Sequence, residues 1–177
     1  MISTFQKEFE DKILELGYSF SRQQSGFYVL YEQNKNHFLD VRLIVSQPLN
    51  RFIHGSKNGI DIHAIGIFKM NQPMFDQGPD FYIFMFQNSY NQRSDYLIIS
   101  NVELLRRLSL KSFETERKKS FRLVLWLMPE DSIYNVTNIS PEGEWFHLSK
   151  GVGGRMADGT DMDYTPFLNN WQQLKFI

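Results

Sequence analysis

The sequence predicts an α/β (α+β) fold: an N-terminal helix on a mixed, mainly antiparallel sheet of five to six strands, with further helices and an irregular C-terminal cap. Three observations predict it. Apolar side chains recur at helical spacing through the first turns of chain; runs rich in Phe, Tyr, Ile and Val then follow one another with turn signals between them; and beyond about residue 138 the regular periodicity fades into glycine-rich sequence.

The 177 residues suit one domain, so 1–177 is expected to fold as a unit with 138–177 as its C-terminal cap. A hydrophobic fraction of 42%, with 16 Phe, excludes a disordered or low-complexity chain. Nineteen basic residues against twenty acidic ones give a net charge of −1, so nucleic-acid binding would need a local patch rather than a global field. The absence of cysteine excludes disulfides, thiolate metal ligands and a cysteine nucleophile, and fits a reducing compartment. Gln6, Lys7, Glu8 and Glu10 stand where a signal peptide would be apolar, and no run approaches the ~18 apolar residues of a membrane span. A cytoplasmic protein with no membrane partner is therefore expected.

The elements follow in order. Ser3-Thr4-Phe5-Gln6 reads as a capping box, and Phe5, Phe9, Ile13 and Leu16 share one helical face up to Gly17, so a helix is expected over 3–16. Gly26 to Glu32 and His37 to Ser46 form a hairpin around a polar turn. In its second strand Leu39, Val41, Leu43 and Val45 share one face, which leaves Asp40 and Arg42 on the other, between Phe38 and Ile44. A polar loop from Pro48 leads into Asn58 to Phe68, the expected central strand. Strict alternation there would put Asp61, His63, Ile65 and Ile67 on one face and Ile60, Ile62 and Ala64 on the other.

Asp80 to Phe86 is nearly continuous in apolar residues, as an inner strand is, and Tyr96 to Ile99 reads as a short strand beside it. Ser100-Asn101-Val102-Glu103 is a second capping box, opening a helix with Leu104, Leu105 and Leu108 inward. Phe121 to Met128 is another buried strand with a return at Ser132 to Thr137. Thr165-Pro166 reads as the cap of a last helix with Phe167, Leu168, Trp171 and Leu174.

The chemistry centres on Asp61 and His63, because ionisable groups inside an apolar strand are costly unless paired, hydrogen-bonded or bound to a cation. The order of an N-terminal helix with Glu10, a hairpin strand with Asp40, and a strand with Asp61-Ile62-His63 resembles the restriction-endonuclease-like, or PD-(D/E)XK, superfamily over about residues 1–100. The resemblance implies a magnesium or manganese ion held by Asp40 and Asp61, with Glu10 as third carboxylate, and His63 or Lys69 activating water against a phosphodiester. The sequence departs from that pattern. Histidine replaces the lysine of the motif, Phe38-Leu39 replaces the usual approach to the first aspartate, and Arg42 shares the face of Asp40 as an alternative ion-pair partner.

Each residue has a structural reading too: a hydrogen-bonded aspartate ordering the loop, and a satisfied histidine at a sheet edge. The basic run Arg106, Arg107, Lys111, Arg117, Lys118, Lys119 and Arg122 would contact phosphates if the nuclease reading holds, and otherwise makes a solvated helix and turn. No Gly-x-Ser-x-Gly elbow accompanies the four histidines. The 142–163 region combines glycines, aromatics and the carboxylates Asp158, Asp161 and Asp163 without the spacing of a helix-loop-helix calcium site. Three functions follow: a divalent-metal-dependent nuclease-like protein acting on nucleic acid, a non-catalytic protein-interaction module, or a small-ligand domain using 142–163.

Overall fold

A computed structural model describes residues 4–24, 26–32, 36–47, 55–57, 60–71, 78–88, 90–107, 120–128, 132–135 and 163–174. Helix α1 (Thr4–Glu15) is followed by β1 (Tyr18–Arg22), β2 (Phe27–Glu32) and β3 (Phe38–Val45). Then come β4 (Gly55–Lys57), β5 (Ile60–Ile62), β6 (Ala64–Asn71), β7 (Phe81–Asn88), β8 (Arg93–Ser100), α2 (Asn101–Arg107), β9 (Ser120–Met128) and β10 (Ser132–Asn135). The fold is α+β, with an N-terminal helix on a mixed five-stranded sheet in the order β1-β2-β3-β7-β8. Within that sheet only the β3–β7 pair is parallel. A three-stranded antiparallel sheet, β10-β9-β6, and the β4–β5 hairpin complete it.

Helix α1 ends where Leu16 and Gly17 close back on the carbonyls of Lys12 and Leu14, with Gly17 at φ +83°, a backbone state that glycine adopts without a Cβ penalty. The tight turn feeds β1, whose Tyr18, Phe20 and Arg22 alternate toward the helix. The helix buries Phe9 and Ile13 against Tyr28, Leu30, Leu39, Val41 and Leu43, and Ile83, Met85, Tyr96 and Ile98 extend the same core. This inner face is covered along the whole width of the sheet.

Among the described residues, the outer face is covered on one side only. Tyr82, Phe84, Phe86, Leu97 and Ile99 from β7 and β8 pack against Ala64, Phe68 and Met70 of β6 and Leu123, Leu125 and Leu127 of β9. No residue of β1 or β2 joins that second core among the described residues.

Two expectations are corrected. The strand expected over Asn58 to Phe68 breaks at His63, so β5 pairs with β4 and β6 with β9. Alternation holds from Ala64 onward, but Ile62 clusters with Trp126, Ile65 and Val124, on the face of the small sheet opposite to Ala64. Ile62 and Ala64 therefore do not share a face. The last helix is replaced by two short 3-10 turns, Thr165–Phe167 and Trp171–Gln173, separated by Asn169 at φ +50°. Phe167 belongs to the outer core, while Trp171 and Leu174 contact the inner one. One straight helix cannot serve both, and the segment instead wraps the free edge of β8, bridging Leu168 to Leu97.

The boundaries of α1, β2, β3 and β7 and the start of α2 agree with the sequence to within a residue or two, and Ser100 Oγ accepts the Glu103 N–H at 3.2 Å, as a capping box requires. No helix among the described residues is long and apolar enough to cross a membrane. The expected features at 108–119 and 136–162, including Lys111, Arg117, Lys118 and Lys119, lie outside the described residues, as does the side chain of Asp61.

Candidate functional site

Glu10 follows Phe9 on the buried side of α1, and the α1–β1 turn brings Arg22 alongside it. The Arg22 Nε donates to Glu10 Oε1 at 2.9 Å and its Nη2 donates to the same oxygen; the buried Tyr28 hydroxyl donates at 3.0 Å. The carboxylate bond holds the Arg22 guanidinium above its ordinary value, and burial, aided by Glu10, pushes the Tyr28 hydroxyl up to about 12. A carboxylate with a guanidinium and a phenol on one oxygen has its charge already answered within the fold.

Asp40 is placed differently. It alternates with Leu39 and Val41, which pack on the inner core, so its side chain lies on the outer face, opposite to Glu10. Its backbone is clamped just before β7: the Asp40 N–H donates to Asp80 Oδ2 at 2.8 Å, and the Asp80 N–H donates to the Asp40 carbonyl at 2.8 Å. Asp40 itself is exposed.

His63 lies at the other end of the sheet. Its ring stacks on Tyr90 in the β7–β8 turn, at 4.3 Å between centroids and 6° between planes. Asp80 precedes the eight-residue β7 and Tyr90 follows it, so Asp40 and His63 are separated by roughly 26 Å of strand. Asp61 is two residues from His63 and belongs to the same end. Lys69 is exposed six residues further along β6, roughly 20 Å from His63. The structure thus brings together neither Glu10 with Asp40 nor Asp40 with His63. Among the described residues, no three His, Asp or Glu side chains converge as a metal site would need. Among the described residues, Glu10, Asp40 and His63 are too far apart to share the single divalent ion that the superfamily resemblance implies; the side chain of Asp61 lies outside them.

The described part of the basic run is committed locally. Arg106 donates twice to Glu103, each bond at 2.8 Å, and Arg107 donates to Glu103 at 2.7 Å. These bonds, led by Arg106, hold the Glu103 carboxyl down at about 2. Arg107 also donates to the Asp163 carbonyl and lies over the rings of Tyr164 and Phe167, which ties α2 to the C-terminal segment. Asp95, a polar residue at the start of β8 with no motif around it, is buried and accepts bonds from Asn88, Arg93 and Asn169, while Asn169 also accepts the Tyr96 N–H. This network accounts for the positive φ of Asn169, whose side chain reaches both β8 groups from there.

Among the described residues, no second layer packs on the outer face of β1, β2 and the start of β3, while Ile44 further along β3 packs against the outer core. Tyr31 and Phe38 face each other across the β2–β3 pair and are 38% and 59% exposed. Further along the pair, Phe27 is opposite Arg42, whose guanidinium lies 4.3 Å over the Phe27 ring. Arg42 does not pair with Asp40, the partner that the sequence suggested. Burial pushes its guanidinium below the ordinary arginine value, opposed only by the Tyr82 hydroxyl. A hollow of about 340 Å³ opens at the foot of the face, lined by Phe27, Val29, Asp40, Gln23, Gln24 and Pro79 among others. The sequence signal for this face is the aromatic content of the non-core positions in β2 and β3, which alternation alone assigns to solvent.

No family model matches the chain, and neither a curated protein nor a solved structure does.

Proposed function

We propose that this chain is a non-catalytic protein-interaction module that presents the outer face of β1–β3 to a protein partner. The observation that carries the reading is the exposed Tyr31–Phe38 pair beside the Arg42–Phe27 stack, on the half of the sheet where, among the described residues, no second layer packs. Aromatic residues and arginine are the side chains enriched at interfaces, and exposed aromatics on a flat sheet stay in water at a cost that a partner removes. A hollow of about 340 Å³ is at the small end of ligand pockets and suits one inserted side chain.

The test is a photo-cross-linking side chain at position 38, with one at the still more accessible Val102 on α2 as control. Irradiation in cells is expected to give a discrete polypeptide adduct from position 38 and none from 102, with the adduct lost on Tyr31→Asp. Equal labelling from both positions, or none from 38, overturns the reading.

A further inference from the structure

We infer that the occupant of this face is a second copy of the same chain, packed about a two-fold axis so that Asp40 of each protomer meets Arg42 of the other. The inference rests on the face being a protein-binding surface and names its partner. Asp40 and Arg42 are two residues apart on one strand and project from the same face. Neither forms an ion pair among the described residues: the Asp40 carboxylate accepts no bond there, and the guanidinium lies over the Phe27 ring.

Two opposite charges side by side, neither in an ion pair among the described residues, are the pattern that a two-fold axis satisfies. An isologous interface places the same patch against itself, so residue i meets j and j meets i, and one acid with one base becomes two reciprocal pairs. Tyr31 and Phe38 flank the pair and would lose water in the same contact. A partner of uniform charge would meet one attraction and one repulsion here; a second copy meets two attractions.

The arrangement makes a charge-swap test decisive. Sedimentation velocity on the full chain is expected to show a concentration-dependent dimer. Asp40→Arg and Arg42→Asp are each expected to weaken it at least about 100-fold, by setting like charges together. An equimolar mixture of the two variants is expected to dimerise again, since a chain with arginine at both positions then faces a chain with aspartate at both. Wild-type protein that stays monomeric up to about 1 mM, the weak limit of specific association, overturns the inference. So does a mixture that fails to recover.

Arg42 is half-buried, and Arg42→Asp is checked for folding by its melting curve. Should it unfold, Asp40→Arg and Phe38→Asp decide: both monomeric with a cooperative melting transition supports the inference, and either one dimeric overturns it. A monomeric wild type that still cross-links from position 38 to a different polypeptide would retire the second copy while leaving the face reading intact. Absence of any adduct would remove both.

Discussion

The two faces of the five-stranded sheet are built from the same strands, yet among the described residues one is buried along its full width and the other over β7, β8 and Ile44 of β3 but not over β1 and β2. The difference is clearest in the two carboxylates that the superfamily resemblance would unite. Glu10 is answered by Arg22 and Tyr28 beneath α1, whereas Asp40, on the far side of the sheet, is exposed with its charge unanswered among the described residues. Charges settled within a fold serve stability; charges left open on an aromatic surface are available to something outside it.

The sharpest way to break this contrast is to truncate one aromatic on each half of the outer face. Phe84 is fully buried between the sheets, and Phe84→Ala is expected to cost about 3–5 kcal/mol through lost transfer energy and the cavity left behind. At about 2–4 °C per kcal/mol for a chain of this size, melting should fall by roughly 10 °C. Phe38→Ala, on the same face of the same sheet, should change monomer stability by less than about 0.5 kcal/mol. Comparable losses at both positions, read by urea denaturation of dilute protein, would mean that the β1–β3 face is already part of a core.

The next effect in size compares the carboxylates themselves. Glu10→Ala leaves the buried Tyr28 hydroxyl without its acceptor and is expected to cost roughly 1–3 kcal/mol from that group alone. Asp40→Ala removes an exposed side chain with no internal bond among the described residues, and dilute protein should unfold within about 0.5 kcal/mol of wild type. An Asp40 variant as destabilised as the Glu10 variant would show that its charge is answered inside the monomer after all.

These pairs also show why part of the molecule is legible in its sequence and part is not. The strand β7 and the helices α1 and α2 are readable because each is specified by neighbours: a continuous apolar run, or a stripe closed by a cap. The break at His63 has no local signal, since it depends on Ile62 finding Trp126, which lies 64 positions further along the chain. The spacing of Phe167, Leu168, Trp171 and Leu174 is helical in form. Its failure comes from the edge of β8, around which the first pair must go one way and the second pair the other. At the site, the residue types are visible in the sequence but not their faces or their distances. Glu10, Asp40 and Asp61 form a set on paper because their spacing in sequence is plausible, while β7 holds the last two at opposite ends.

A smaller effect separates the basic segment from the open face. Glu103 has its folded-state value held at about 2, below the 4.5 of the unfolded chain, chiefly by its bonds to Arg106. Its contribution is therefore complete above about pH 4.5 and is lost as pH falls toward 2. The leading partner, Arg106, is exposed, so after screening the amount is about 0.5 kcal/mol. The pH dependence of unfolding between about 5 and 2 should flatten by that amount in Glu103→Gln, and the flattening should shrink at high salt. A slope identical to wild type at low salt would mean that Arg106 and Arg107 are not engaged with Glu103.

The smallest expected effect is none, and it bears on the metal-dependent reading that the sequence favours. An ion binding the native state at about a hundred times its dissociation constant stabilises by about 2.7 kcal/mol. For a chain of 177 residues this raises melting by roughly 5–10 °C. With Glu10 bonded to Arg22 and Asp40 a strand's length from His63, saturating magnesium or manganese is expected to leave the melting temperature unchanged. A rise of the calculated size that disappears in Asp61→Asn would require the β4–β5 hairpin to carry Asp61 to carboxylates other than Asp40, and would return the protein to the metal-dependent class. A rise that survives Asp61→Asn but not Asp40→Asn would instead put the cation in the hollow beside Phe27, competing for the same carboxylate as Arg42 of the second copy, so that metal would dissolve the dimer.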